Sequence, residues 1–151
     1  MQEQQEPSVL LMAGIASLAT TAAAVSLSQR DTGHAAAAFN ATSHILWGER
    51  AAKVDRFDVK HTVAGTLLNA GAMLSWAAVY RLLPNAKSVA AIVTKGALVS
   101  ALAYVTDYHV VPKRLTPGFE ERLSAKSMAA IYGVLAASLA LGDWLSSEEA
   151  A

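Results

Sequence analysis

The chain has 151 residues and no net charge at neutral pH, and 54% of its residues are hydrophobic while only 16% are charged. The balanced charge gives no reason to expect a nucleic-acid partner, and the absence of cysteine excludes disulfides, thiolate metal sites and cysteine nucleophiles. Soluble domains average about 25% charged residues, and here the charges fall between long apolar stretches. We therefore predict an all-α, polytopic membrane bundle that forms a single domain over residues 1–151.

The first apolar stretch covers residues 8–27 and follows a short polar start, 1–7, that carries acidic rather than basic residues. A secretory signal peptide would begin with a basic region, so we expect this stretch to be retained as the first transmembrane helix. Small side chains recur along it at four-residue steps, which lets helix backbones approach closely in lipid. The two rows are Ala13, Ser17 and Thr21, and Ala16, Thr20 and Ala24.

The next segment, residues 34–61, is the hardest to place. Its apolar part, His34–Trp47, is shorter than the roughly 20 residues that a membrane crossing needs. We predict a short re-entrant or interfacial helix here, preceded by a polar break at 28–33 and followed by a charged helix over Gly48–His61 in the headgroup region. If the apolar part crossed the membrane instead, the bundle would have five spans rather than four.

Two further apolar runs, 62–83 and 88–111, are joined by the four residues Pro84–Lys87. Each run is long enough to cross a hydrocarbon core of about 30 Å, and so short a link requires the two helices to be antiparallel. A last run, 125–145, follows Ser124, whose side chain is suited to cap the helix. The pattern predicts four transmembrane helices plus the short re-entrant or interfacial helix.

Lysine and arginine are concentrated in two connections, which predicts that both connections face the cytoplasm. The 28–61 connection carries five of these residues and the 112–126 connection carries four, whereas the side of the 84–87 link has two, Arg81 and Lys87. The nine are Arg30, Arg50, Lys53, Arg56, Lys60, Lys113, Arg114, Arg122 and Lys126. The side on which the N-terminus lies stays open, because it depends on whether the short apolar segment crosses.

This topology brings five polar residues to the cytoplasmic end, namely Asn40, His44, His61, Asp107 and His109. Ionisable residues at membrane depth are costly and often functional. Imidazoles with a carboxylate can bind a transition metal or haem or relay protons, and a metal would use His44, His61 and Asp107. No two histidines have the three- or four-residue spacing of a helix-borne metal pair. The alternative is that Asn40, His44 and Asp107 hydrogen-bond to one another or to loop backbone and pin the re-entrant segment.

One further charge falls inside a predicted span. Lys95 lies seven residues from the outer end of its helix, a depth of roughly 10 Å at about 1.5 Å of rise per residue. We expect its long side chain to snorkel towards the headgroups or to pair with Asp143 near the end of the last span. Trp76, Tyr80 and Trp144 are expected in the outer aromatic belt.

Two stretches carry a resemblance. Residues 40–48 have the pattern NxxSHxxWG, and residues 107–120 have the pattern DYxxVPxRLTPGFE. Both resemble stretches of small, uncharacterised bacterial inner-membrane proteins, and the similarity extends over most of the chain from residue 8 onward. The resemblance implies a bacterial inner-membrane location and implies no chemistry.

Nucleophile elbows, phosphate loops and HExxH motifs are absent from the sequence, so we do not expect an enzyme. We predict a structural or accessory bundle of the bacterial inner membrane, with no cofactor and with lipid, other membrane subunits or further copies of itself as partners. The alternative is a protein that binds metal, haem or protons at the cytoplasmic cluster. A small-solute transporter ranks third, because the spans contain no clear polar path.

Overall fold

The computed structural model describes residues 8–148, which form helices and turns and contain no β-strand. Four helices are long and apolar enough to cross a membrane, as predicted, and the all-α fold class is confirmed. The helices, in chain order, are α1 (Val9–Thr32), α2 (Ala37–Thr42), α3 (His44–Trp47), α4 (Ala64–Leu82), α5 (Val89–Val105) and α6 (Ala125–Glu148). Two π-helical turns extend the second and third spans, Val59–Val63 before α4 and Thr106–Val110 after α5.

Serine side chains begin three of the long helices. Ser8 accepts a hydrogen bond from the backbone of Leu11, and Ser88 and Ser124 bond in the same way to the residues three positions on. These bonds satisfy amide groups that have no partner within the helix. The last of the three confirms the cap predicted at Ser124.

The first helix continues through most of 28–33, where a polar break was predicted. It ends only at Thr32, where Gly33 adopts a left-handed conformation with φ 75°. Ser28 is fully buried, donates to the carbonyl of His34 at 2.7 Å and accepts from the amide of Ala38 at 3.1 Å. The polar residue therefore joins the helix end to the next segment instead of breaking the helix.

The helices α1 and α6 form the antiparallel centre of the bundle. Near one end Ser8 bonds to Ser146, and near the other Arg30 bonds to Ser127 at 2.7 Å. Helix α4 packs on α1 and helix α5 packs on α6, whereas α4 and α5, although consecutive, contact each other less. The shared core is mainly apolar, and it includes Met12, Ala16, Met73, Val99, Leu135 and Leu139.

The short segment after α1 enters the bundle at one end, which corresponds to the re-entrant form of the prediction. Every residue from Ala37 to His44 is buried, and the Phe39 ring packs edge-on against Phe119 with 6.0 Å between centroids. Helices α2 and α3, of six and four residues, are too short to cross. They contact the connection between α5 and α6, so the two basic connections lie at the same end.

The charged helix predicted over Gly48–His61 is wrong. Gly48 ends α3 with φ 80° and ψ −177°, a conformation that side chains other than glycine rarely adopt. A single 3-10 turn follows over Ala51–Lys53, and Val54 and Asp58 are extended. Helix begins again at Val59, because the Asp58 carboxylate accepts the amide of His61 and thereby starts a new helix.

Candidate functional site

Asn40 is completely buried, and its side-chain amide is fully used. Nδ2 donates to the carbonyl oxygens of Val54 and Arg56, both at 2.8 Å, and Oδ1 accepts from the Thr62 hydroxyl at 2.5 Å. Thr62 in turn accepts the backbone amide of Asp58 at 3.0 Å. The Asn40 side chain therefore ties α2 to the non-helical segment 54–58 and to the start of the second span.

His44 is buried as well, with 4% of its surface exposed. Nδ1 lies 2.8 Å from the carbonyl oxygen of Ala41, and Nε2 lies 3.2 Å from that of Lys113. Both ring nitrogens thus lie within hydrogen-bond distance of backbone carbonyl oxygens. A neutral imidazole donates from one nitrogen only, so the ring is hydrogen-bonded to at least one of these two carbonyls. His44 connects the re-entrant segment to the connection between α5 and α6.

His61 bonds locally. Its Nδ1 lies 2.8 Å from Asp58 Oδ1, and the same carboxylate oxygen accepts the backbone amide of His61 at 2.9 Å. Its ring packs edge-on against Trp47, with 5.4 Å between centroids, and Lys60 Nζ lies 4.8 Å from the Trp47 ring centroid. The histidine orders the N-terminal cap of the second span.

Asp107 faces the interior from the π-helical turn that ends the third span. Such turns are rare and often lie at functional sites. Tyr132 of α6 donates to Asp107 Oδ2 at 2.6 Å. Asp107 and Tyr132 both line a mainly apolar cavity of about 120 Å³ between the re-entrant segment and the long helices. Of the five predicted site residues, Asp107 is the one that lines this cavity.

The five predicted site residues therefore do not form one cluster. His109 is exposed and only meets the edge of the Tyr104 ring, and within residues 8–148 no three His, Asp or Glu side chains are grouped to hold a metal ion. No protein-family model, curated protein or solved structure matches this chain.

A second polar group lies near the opposite end of the bundle. Tyr80 is fully buried, and its hydroxyl donates to Asp143 Oδ2 at 2.6 Å. Lys95 is also buried, with Nζ 4.1 Å from the Tyr80 ring centroid and 3.4 Å from the carbonyl oxygen of Leu83. Lys95 therefore does not snorkel to solvent, and Tyr80, which was expected in the aromatic belt, links it to Asp143 instead. Trp144 remains 38% exposed.

The sequence did not identify Tyr80 and Tyr132 as partners of the buried carboxylates. Each tyrosine reaches a carboxylate on a different helix, from α4 to α6 and from α6 to the turn after α5. Spacing along one helix reveals neighbours on that helix only. The available signal was the presence of a tyrosine inside an apolar span, since a buried phenol hydroxyl needs a hydrogen-bond partner.

An exposed ion pair joins the two basic connections outside the spans. Arg122 donates to Asp55 and, at 3.0 Å, to the carbonyl of Ala52. The hydrogen bond from Arg122 holds the pKa of Asp55 below its ordinary value, and hydrogen bonds from the His61 amide and ring do the same for Asp58.

These lowered pKa values predict a loss of stability in acid. A carboxylate whose pKa is lower in the folded state stabilises the fold above its unfolded pKa, about 4, and that contribution disappears as the pH falls through the folded value. We expect the melting temperature in detergent to fall as the pH is lowered below about 4. Arg122→Gln should lower the melting temperature at neutral pH and reduce this dependence. An unchanged acid profile in the variant would contradict the role of Asp55.

Proposed function

We propose that this chain is a multi-pass protein of the bacterial inner membrane that acts as a structural or accessory helical bundle, without catalysis or a resident metal or haem. We further propose that both basic connections face the cytoplasm, in accord with the concentration of lysine and arginine there. Its role is to contact lipid and to assemble with other membrane subunits, including further copies of the chain.

The observation that carries this proposal is the hydrogen bonding of the buried polar atoms of Asn40 and His44. These atoms bond to backbone carbonyls of the surrounding connections and to one threonine hydroxyl. Polar groups buried in a membrane bundle must find such partners, and here the partners are the segments that the two side chains hold in place. This bonding supports a pinning role over a ligand or metal role.

The mainly apolar middle of the bundle also supports an accessory role over transport. The Asp107–Tyr132 pair and the Tyr80–Asp143 pair lie towards opposite ends. Between them the helices meet mainly through apolar side chains such as Met73, Leu135 and Leu139. The buried polar side chains Asn69 and Thr20 bond to each other there at 3.1 Å. A path for ions or solutes requires polar groups or a water-filled cavity along its length.

The proposal predicts the outcome of His44→Ala. We expect the detergent-purified wild type to contain no stoichiometric metal and no haem absorption band. The variant should lose about 1–3 kcal/mol of unfolding free energy, since a backbone carbonyl loses the hydrogen bond that it receives from the buried ring. Metal analysis, an absorption spectrum and chemical unfolding measure the three quantities.

His109→Ala is the matched control, because it removes an exposed imidazole at the same end of the bundle. It should change neither the spectrum nor the stability. Stoichiometric metal or a Soret band in the wild type that disappears in His44→Ala, with the stability retained, would overturn the structural role and establish a cofactor protein.

A further inference from the structure

The cavity beside Asp107 is partly enclosed and has few polar groups in its wall. Its volume is about 120 Å³, and it lies among α1, α4, α6 and the segments at the basic end of the bundle. Thr20, Thr42, Asn69, Asp107, Phe119 and Tyr132 contribute to a wall that is otherwise mostly aliphatic. An apolar cavity of roughly 150 Å³ holds benzene, so this cavity has room for a molecule somewhat smaller than benzene.

The hydroxyl groups in the wall are already committed as donors. Thr20 donates to the carbonyl of Ala16 at 2.7 Å, and Thr42 donates to that of Ala38 at 3.3 Å. The Tyr132 hydroxyl donates to Asp107 Oδ2. A ligand in the cavity therefore meets no free hydroxyl donor, and the strongest group it meets is an acceptor, the Asp107 carboxylate.

The Asp107 carboxylate has no cationic partner within residues 8–148. Its one hydrogen bond comes from Tyr132, and it forms no ion pair there. Glu120 lies within electrostatic range of Asp107 and adds negative potential. A carboxylate buried without a counter-ion is costly, whereas a cation bonded to it offsets the cost.

The aromatic residues of the wall suit the same kind of ligand. The rings of Phe119 and Tyr132 both line the cavity, and aromatic rings attract organic cations through their negative faces. The remaining aliphatic wall suits a short hydrocarbon chain.

We propose that this cavity binds a small primary alkylammonium ion, with its charged group on Asp107 and its hydrocarbon part against the apolar wall. The proposal is independent of the structural role argued for Asn40 and His44, because neither of these two residues lines the cavity. It can therefore fail while that role stands.

The test titrates the full chain in detergent with n-propylammonium and, in parallel, with 1-propanol, which has the same size and no charge. A ligand of so few atoms binds no more tightly than about tens of micromolar, so calorimetry and thermal shifts should extend to millimolar concentrations. We expect one site for propylammonium and at least about tenfold weaker binding of propanol, the ratio expected when a charge-assisted hydrogen bond is lost.

Asp107→Asn should weaken propylammonium binding by about tenfold or more, because the amide carries no charge. Glu121→Gln is the matched control, since it removes an exposed carboxylate at the same end that does not line the cavity, and it should bind as the wild type does. Equal binding of propanol and propylammonium, no binding of propylammonium, or full retention of binding in a folded Asp107→Asn variant would each overturn the proposal. The comparison of the two ligands on the wild type decides the matter even if that variant does not fold.

Discussion

Gly65→Ala is expected to disrupt the packing of the re-entrant helix α2 on α4. A Cβ atom at Gly65 would lie 1.8 Å from the carbonyl oxygen of Phe39 and 2.6 Å from its carbon. These are backbone atoms of α2, which cannot rotate away as a flexible side chain can, so α2 or α4 must move. We expect a loss of about 3 kcal/mol or more of unfolding free energy, at the upper end of overpacking effects, measured by chemical unfolding in detergent.

The same helix supplies a matched control. Gly71 lies six residues further along α4, is exposed, and a Cβ atom there would meet nothing within 4 Å. Gly71→Ala should therefore stabilise the protein by about 0.5–1 kcal/mol, the usual advantage of alanine over glycine within a helix. If the two variants had the same stability, close packing of α2 on α4 would be contradicted.

Asn40→Ala should have the second-largest effect. It leaves the carbonyls of Val54 and Arg56 and the hydroxyl of Thr62 without the partner they have in the wild type. Each unsatisfied buried group costs about 1–3 kcal/mol, and solvent reaching the connection reduces the sum, so we expect a loss of about 3 kcal/mol. Chemical unfolding measures it.

Limited proteolysis provides a local readout of the same change. The segment that Asn40 holds, 54–58, contains Arg56 and is flanked by Lys53 and Lys60, and cleavage by trypsin should become faster there in Asn40→Ala. Asn85→Ala removes an exposed asparagine from the link between α4 and α5 and should alter neither stability nor cleavage. Wild-type cleavage rates in Asn40→Ala would contradict the pinning role.

The sequence predicts the long helices well because length and hydropathy are local properties. The apolar runs and the Ser124 cap correspond to helices and a cap in the structure. The run at 34–47 is predicted to be too short to cross, and in the structure it contains two helices of six and four residues. The helix predicted after it failed because its periodic charges carried less weight than two local signals, the backbone conformation of Gly48 and the cap made by Asp58.

The candidate site was harder to predict because its partners lie on other helices. The sequence marks His44 as a polar residue at membrane depth, but the ring nitrogens meet backbone carbonyls, one of them 69 residues away. Backbone groups leave no signature in side-chain patterns. The pairing of Asp107 with Tyr132 likewise depends on how α6 packs, which the pattern of one span does not determine.

In the topology that we propose, the chain crosses the membrane four times, and the segment between α1 and α4 enters and leaves on one side. The sequence contains no cysteine, so single substitutions at the exposed positions Gln29, Phe57 and Lys87 each give one thiol for labelling in intact cells with a membrane-impermeant reagent. We expect the thiols at positions 29 and 57 both to be protected from the reagent on the cytoplasmic side, and the thiol at position 87 to be labelled. Labelling of position 29 together with 87, and protection of 57 alone, would show that the short segment crosses and would contradict the four-span bundle.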